Sequence, residues 1–131
     1  MIMSAMDRIY EDSLLFDFYG ELLNEHQRDV FSASVFDDMS YSELADEFGC
    51  SRQAAFDLIR RINQKLEGYE KRLGLVKRFS EAKNKNKEVA ELIASAKEYI
   101  NKSDINSRDK KAISDYIGKI AELSDEVFDD F

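Results

Sequence analysis

Between Ser40 and Leu66 the chain reads SYSELADEFGCSRQAAFDLIRRINQKL, and this stretch leaves few ways to fold. Ser40 and Glu43 have the S-x-x-E spacing of a capping box, which starts a helix by satisfying its first free N–H groups. That helix runs to about Phe48. Gly49 follows, and glycine takes the left-handed conformation that ends a helix and turns the chain. Ser51 can then cap a second helix from Arg52. Leu44, Ala45 and Phe48 face inward on the first helix, Cys50 fills the turn, and Ala54 or Ala55, Leu58, Ile59 and Ile62 face inward on the second. Alanine at 45 matters because two crossing helices approach closely only over a small side chain. Two short helices crossing steeply about a glycine turn make a helix-turn-helix, and in DNA readers of that kind the second helix enters the major groove.

The rest of the chain agrees with an all-α fold. It has 131 residues, no proline and five glycines, so the commonest helix breaker is absent and the apolar spacing is helical nearly throughout. Hydrophobic residues make up 44% and charged residues 35%, enough for a core and too apolar for a disordered tail. No apolar run reaches the ~20 residues of a membrane span, so no membrane insertion is expected. The stretch MIMSAMDRIYEDS lacks the apolar segment of a signal peptide. A single cysteine, Cys50, excludes an intrachain disulfide and fits a reducing, cytoplasmic setting.

Net charge is −8, the wrong sign for a simple nucleic-acid binder, but the charge is unevenly spread. Residues 1–49 hold 2 basic and 12 acidic residues, residues 50–80 hold 8 and 3, and residues 81–131 hold 9 and 12. The only basic third contains the second motif helix. A phosphate-facing patch therefore survives in an acidic chain. No enzyme is expected: there is no phosphate-binding glycine loop and no Cys/His metal spacing, and the lone His26 has no partner at ligand spacing. No cofactor or metal is expected either.

Taken in order, residues 4–23 read as one helix or two short ones. Met6, Ile9 and Tyr10 form a first apolar group, Leu14, Leu15, Phe18, Leu22 and Leu23 a second, with Phe16 and Tyr19 to the side. So many large apolar residues suggest burial on more than one face. Asn24 and Gln27 form another capping box for a helix over about 25–37, with Val30, Phe31, Ser34 and Val35 inward. The second motif helix is long: Ile59, Ile62, Leu66, Tyr69, Leu73 and Val76 are three or four residues apart, a coiled-coil-like seam, with Gly74 its expected break. Residues 80–88 are either exposed helix or a flexible joint. Val89, Leu92, Ile93, Ala96, Tyr99 and Ile100 resume helical spacing, residues 101–107 read as a turn, and a last helix turns Ile113, Tyr116, Ile117, Ile120, Ala121 and Leu123 inward. Residues 1–79 form a helix-turn-helix domain and residues 80–131 a C-terminal helical extension. The seam and the aromatic N-terminal helix both suggest a homodimer.

These residues carry a resemblance. The segment from Leu22 to Leu66, with Gln27-Arg28 on one helix and then Ser-x-x-Glu-Leu-Ala-x-x-Phe-Gly-x-Ser-Arg, resembles region 4 of bacterial sigma factors. LLFDFYGELLNEHQRDVF at 14–31, DDMSYSELADEFGCSRQAAFDLIRR at 37–61 and LEGYEKRLGLVKRF at 66–79 look more closely like the small YlxM-like DNA-binding family. The resemblance implies a regulatory DNA-binding protein linked to the signal recognition particle pathway, because family members are encoded beside that particle's GTPase. Matched to sigma region 4, the recognition positions are Ser51, Arg52, Gln53, Phe56, Asp57 and Arg60. With the neighbouring basic residues, the candidate nucleic-acid-binding set is Ser51, Arg52, Gln53, Phe56, Arg60, Arg61 and Lys65. Two functions stay open: a DNA-binding regulator, or an adaptor that contacts the particle's protein or RNA without binding DNA.

Overall fold

The computed structural model describes residues 4–129. Six α-helices and one short 3-10 turn, with no strand, make up its regular structure: α1 (Ala5–Tyr19), the turn Gly20–Leu22, α2 (Glu25–Val35), α3 (Tyr41–Phe48), α4 (Arg52–Leu73), α5 (Leu75–Lys102) and α6 (Ser107–Asp129). Met1 to Met3 of the N-terminal stretch and Asp130 and Phe131 of the acidic end lie outside the described residues. The chain divides into two compact units at Lys77 and Arg78.

Local signals set most helix boundaries. Asn24 accepts from the Gln27 N–H at 2.8 Å while Gln27 reaches back to the Asn24 N–H at 3.1 Å. Ser40 and Glu43 do the same for α3 at 3.1 and 3.3 Å. Gly49 ends α3 at φ 69° and Gly74 ends α4 at φ 64°, both in the left-handed region. Asp38, between α2 and α3, also has positive φ, 52°. The polar residues 80–88 are helical, inside α5.

The first unit is held by two clusters of buried side chains. Leu15, Tyr19, Leu23, Phe31, Ile62 and Leu66 join α1, α2 and α4. Val30, Ala33, Leu44, Ala55 and Ile59 join α2, α3 and α4. Leu58 packs against both. Ile59, Ile62 and Leu66 are thus spent inside the subunit, so the seam expected to serve a dimer is core over these positions; Leu73 alone of that seam is about half exposed. Ala55, not Ala54, is the inward alanine.

Three expectations for the first unit are corrected. Tyr19 does not sit to the side but is among the most buried residues of the chain. Conversely, Met6, Ile9 and Tyr10 are exposed, because α1 reaches the core only through its second half, and Leu22, in the turn that follows α1, is exposed as well. Cys50 is exposed and does not fill the turn; the turn is closed by backbone instead, the Cys50 N–H donating to the Ala45 carbonyl at 3.0 Å.

Burying Tyr19 requires a partner for its hydroxyl. That hydroxyl donates to Glu70 Oε1 at 2.6 Å and accepts from the Leu75 N–H at 3.1 Å. Glu70 in turn accepts from the Val76 and Lys77 N–H groups at 2.9 and 3.1 Å. One carboxylate and one phenol thus satisfy three of the N–H groups that open α5. Burial by itself raises the Glu70 pKa, but the Tyr19 hydroxyl and the two amides outweigh it and hold the carboxyl below its ordinary value. Burial and the bond to Glu70 push the Tyr19 phenol up.

The second unit is an antiparallel hairpin of α5 and α6. Phe79 meets Phe128 edge to face, with ring centroids 6.1 Å apart. Ser124 donates to Asn86, and Lys110 reaches the Asn101 carbonyl at 3.3 Å. Asn106 starts α6 by accepting from the Asp109 N–H at 2.9 Å. Among its described residues only Ile100 is fully buried. Tyr116, Ile120 and Leu123, expected inward, are exposed, as are Leu92 and Tyr99 of the spacing on α5: the apolar arc on each helix is wider than the strip that its neighbour covers.

Candidate nucleic-acid interface

The residues singled out for nucleic-acid contact occupy the opening turns of α4 and the turn before it. Ser51 accepts from the Ala54 N–H at 3.0 Å, so its hydroxyl is engaged as the cap of α4. Buried Ala55, Ile59, Ile62 and Leu66 define one side of the helix. At about 100° per residue, Arg52, Phe56, Arg60, Gln53 and Asp57 follow one another round one arc of the helix, Arg52 nearest to the buried side and Asp57 opposite it. Arg61 and Lys65 lie further round. Ser51, Arg52, Gln53, Phe56, Arg60, Arg61 and Lys65 are all exposed. The structure therefore gathers five side chains along one arc of α4 and places the last two basic residues beyond its far end.

Two local contacts organise that arc. Phe56 is 42% exposed, yet it is held by Tyr41 at the start of α3, ring edge to face, with centroids 5.2 Å apart. Asp57 accepts from Gln53 Nε2 at 3.3 Å and lies 3.7 Å from Arg60. The carboxylate thereby aligns one polar side chain and one guanidinium on successive turns, and offsets part of the positive charge. Both contacts to Asp57 follow from helical i+3 and i+4 spacing, a signal present in the sequence. The Tyr41 contact crosses between helices, and no spacing rule would have revealed it.

Elsewhere the described residues offer little alternative chemistry. No three His, Cys, Asp or Glu side chains among them are grouped as metal ligands. His26 is exposed, with its ring edge on Phe48 at 5.9 Å. Among the described residues no helix is long and apolar enough to cross a membrane.

Residues 6–108 match the model of the UPF0122 family, described as "Putative helix-turn-helix protein, YlxM / p13 like". The chain is 42% identical to a UPF0122 protein of Shouchella clausii over 69% of its own length and 83% of the relative's. It is 35% identical to one of Acetivibrio thermocellus over 90% of its length and 97% of the relative's. It is 44% identical to one of Bacillus pumilus over 69% and 82%.

Proposed function

Starting from the fact that this chain belongs to the UPF0122 family of YlxM / p13-like helix-turn-helix proteins, a family described by its fold and not by an enzymatic activity, we propose that it is a cytoplasmic regulatory protein that binds DNA as a homodimer. The first turns of α4 would lie in the major groove. The observation that carries this reading is the contiguous arc of Arg52, Phe56, Arg60 and Gln53, all exposed on the first turns of the second motif helix. Arg52 and Arg60 have the donors that read guanine or hold phosphate, Gln53 those that suit adenine, and Phe56 can contact a thymine methyl. Arg61 and Lys65, beyond that arc, suit the flanking backbone. A dimer is part of the reading because one such module seldom binds tightly enough alone.

The test is selection of DNA fragments from a random pool by the wild type and by an Arg52→Ala/Arg60→Ala variant. The expected result is enrichment of one sequence, affinity that falls steeply with salt, and loss of both in the variant. Binding that survives the double substitution overturns the recognition-helix reading.

One observation favours a second reading, an adaptor that contacts the protein or RNA of the signal recognition particle. Asp57 stands within the candidate arc and engages both Gln53 and Arg60; a carboxylate there repels the phosphates of DNA and RNA alike and can accept only from cytosine, so it favours the particle's protein as the partner. A pull-down from bacterial lysate, with and without nuclease, separates the two. Enrichment of the particle's protein or RNA without genomic DNA supports the adaptor; enrichment of DNA of one sequence supports the regulator.

A further inference from the structure

The α5–α6 hairpin carries a second apolar face. Its inner face is marked by Phe79 against Phe128 and by Asn86 against Ser124, with Ile93, Ile100, Ile117 and Ala121 also at least half covered. Leu92 and Tyr99 each precede an inner residue of α5 by one position. Tyr116, Ile120, Leu123 and Val127 do the same on α6. One position back is a turn of about 100°, and in antiparallel helices that turn leads to the same side of the hairpin. All six side chains are therefore on one face, and all are exposed, Leu92, Tyr99 and Tyr116 by 69, 76 and 74%.

On α6 the exposed residues Tyr116, Ile120, Leu123 and Val127 are spaced four, three and four apart. That is the a/d pattern of a helix built to pair with another helix. The charge on α6 is polarised along the same helix. Residues 107–119 hold four basic side chains, Arg108, Lys110, Lys111 and Lys119, against two acidic ones; residues 120–129 hold four acidic side chains, Glu122, Asp125, Glu126 and Asp129, and no basic one. A helix with those two halves repels a parallel copy and attracts an antiparallel one.

We propose that this face is the subunit interface of a homodimer, with α6 pairing antiparallel to α6 of a second copy about a two-fold axis between Ile120 and Leu123. In that register Ile120 packs on the partner's Leu123 and Tyr116 on the partner's Val127, each contact occurring twice by symmetry. The same register places Lys119 beside the partner's Glu126, and both side chains are exposed in the single chain. Shifting one copy by a heptad would bring Lys119 against its own symmetry mate, so charge selects the register. The proposal rests on the homodimer of the reading above, names its surface, and needs no DNA.

The experiment is sedimentation equilibrium of the full chain without DNA, with helix content followed by circular dichroism. The wild type is expected to dimerise at micromolar concentration, and Leu123→Glu to sediment as a 15.2 kDa monomer with helix content retained. Lys119→Glu and Glu126→Lys are each expected to raise the dimer Kd roughly tenfold, since two symmetric surface pairs become repulsive. The double variant Lys119→Glu/Glu126→Lys restores it, because only antiparallel pairing sets those positions opposite each other. A monomeric wild type, a dimer indifferent to Leu123→Glu, or reversals that the double variant does not rescue each overturn the proposal. A wild type that dimerises but enriches no DNA overturns the DNA reading alone.

Discussion

Glu70 shows how one side chain can hold a junction. It accepts a hydrogen bond from a hydroxyl 51 residues earlier and one from each of two amides at the start of the helix that follows. Its pKa is held below the ordinary glutamate value, so its contribution is present above about pH 4.3 and is lost as pH falls through the lowered, folded value. Glu70→Gln is therefore expected to reduce stability at pH 7 by about 1–3 kcal/mol. Chemical denaturation should show the gap between variant and wild type closing as the pH is taken below 4. A gap that persists unchanged at pH 3 would mean that Glu70 acts through packing and not through its charge. Nothing near Glu70 in the sequence advertises this role, because the partner that buries it is Tyr19 and the bond spans two helices.

Among the elements, the same substitution should act with opposite sign according to backbone conformation. Gly49 and Gly74 have φ of 69° and 64°, and a Cβ at either would meet nothing within 4 Å. The strain of a left-handed alanine, about 1–2 kcal/mol, is thus the whole effect, and thermal unfolding of Gly49→Ala and Gly74→Ala should report a loss of that size. Gly68 lies inside α4 with equally open space. Gly68→Ala should stabilise by roughly 0.5–1 kcal/mol. A loss at Gly68, or no loss at Gly49, would contradict the assigned conformations. These turns were legible because caps and glycine stops act within four residues of themselves.

At the scale of the molecule the two units differ in how much they bury. The first contains both clusters of buried side chains; the hairpin, among its described residues, fully buries only Ile100. Local stability follows buried apolar contact. Amide hydrogen exchange should find α4 protected near the global limit and the C-terminal half of α5 and α6 exchanging faster at low protein concentration. If the exposed face of α6 pairs with a second copy, that protection rises with concentration by mass action while that of α4 changes little. Concentration-independent protection of α6 would count against pairing there.

What the sequence alone determined is what short-range chemistry specifies: an all-α chain, the caps at Asn24, Ser40 and Ser51, and the stops at Gly49 and Gly74. Each depends on residues within a turn or two of one another. Tertiary structure decided which of several apolar arcs is covered. Tyr19 went in and Met6 stayed out because α1 meets the core through one half only. Tyr116, Ile120 and Leu123 were left exposed because α6 is apolar over more of its circumference than α5 can cover. Helical spacing identifies the apolar arc, but only the position of a neighbouring helix determines which part of it is buried.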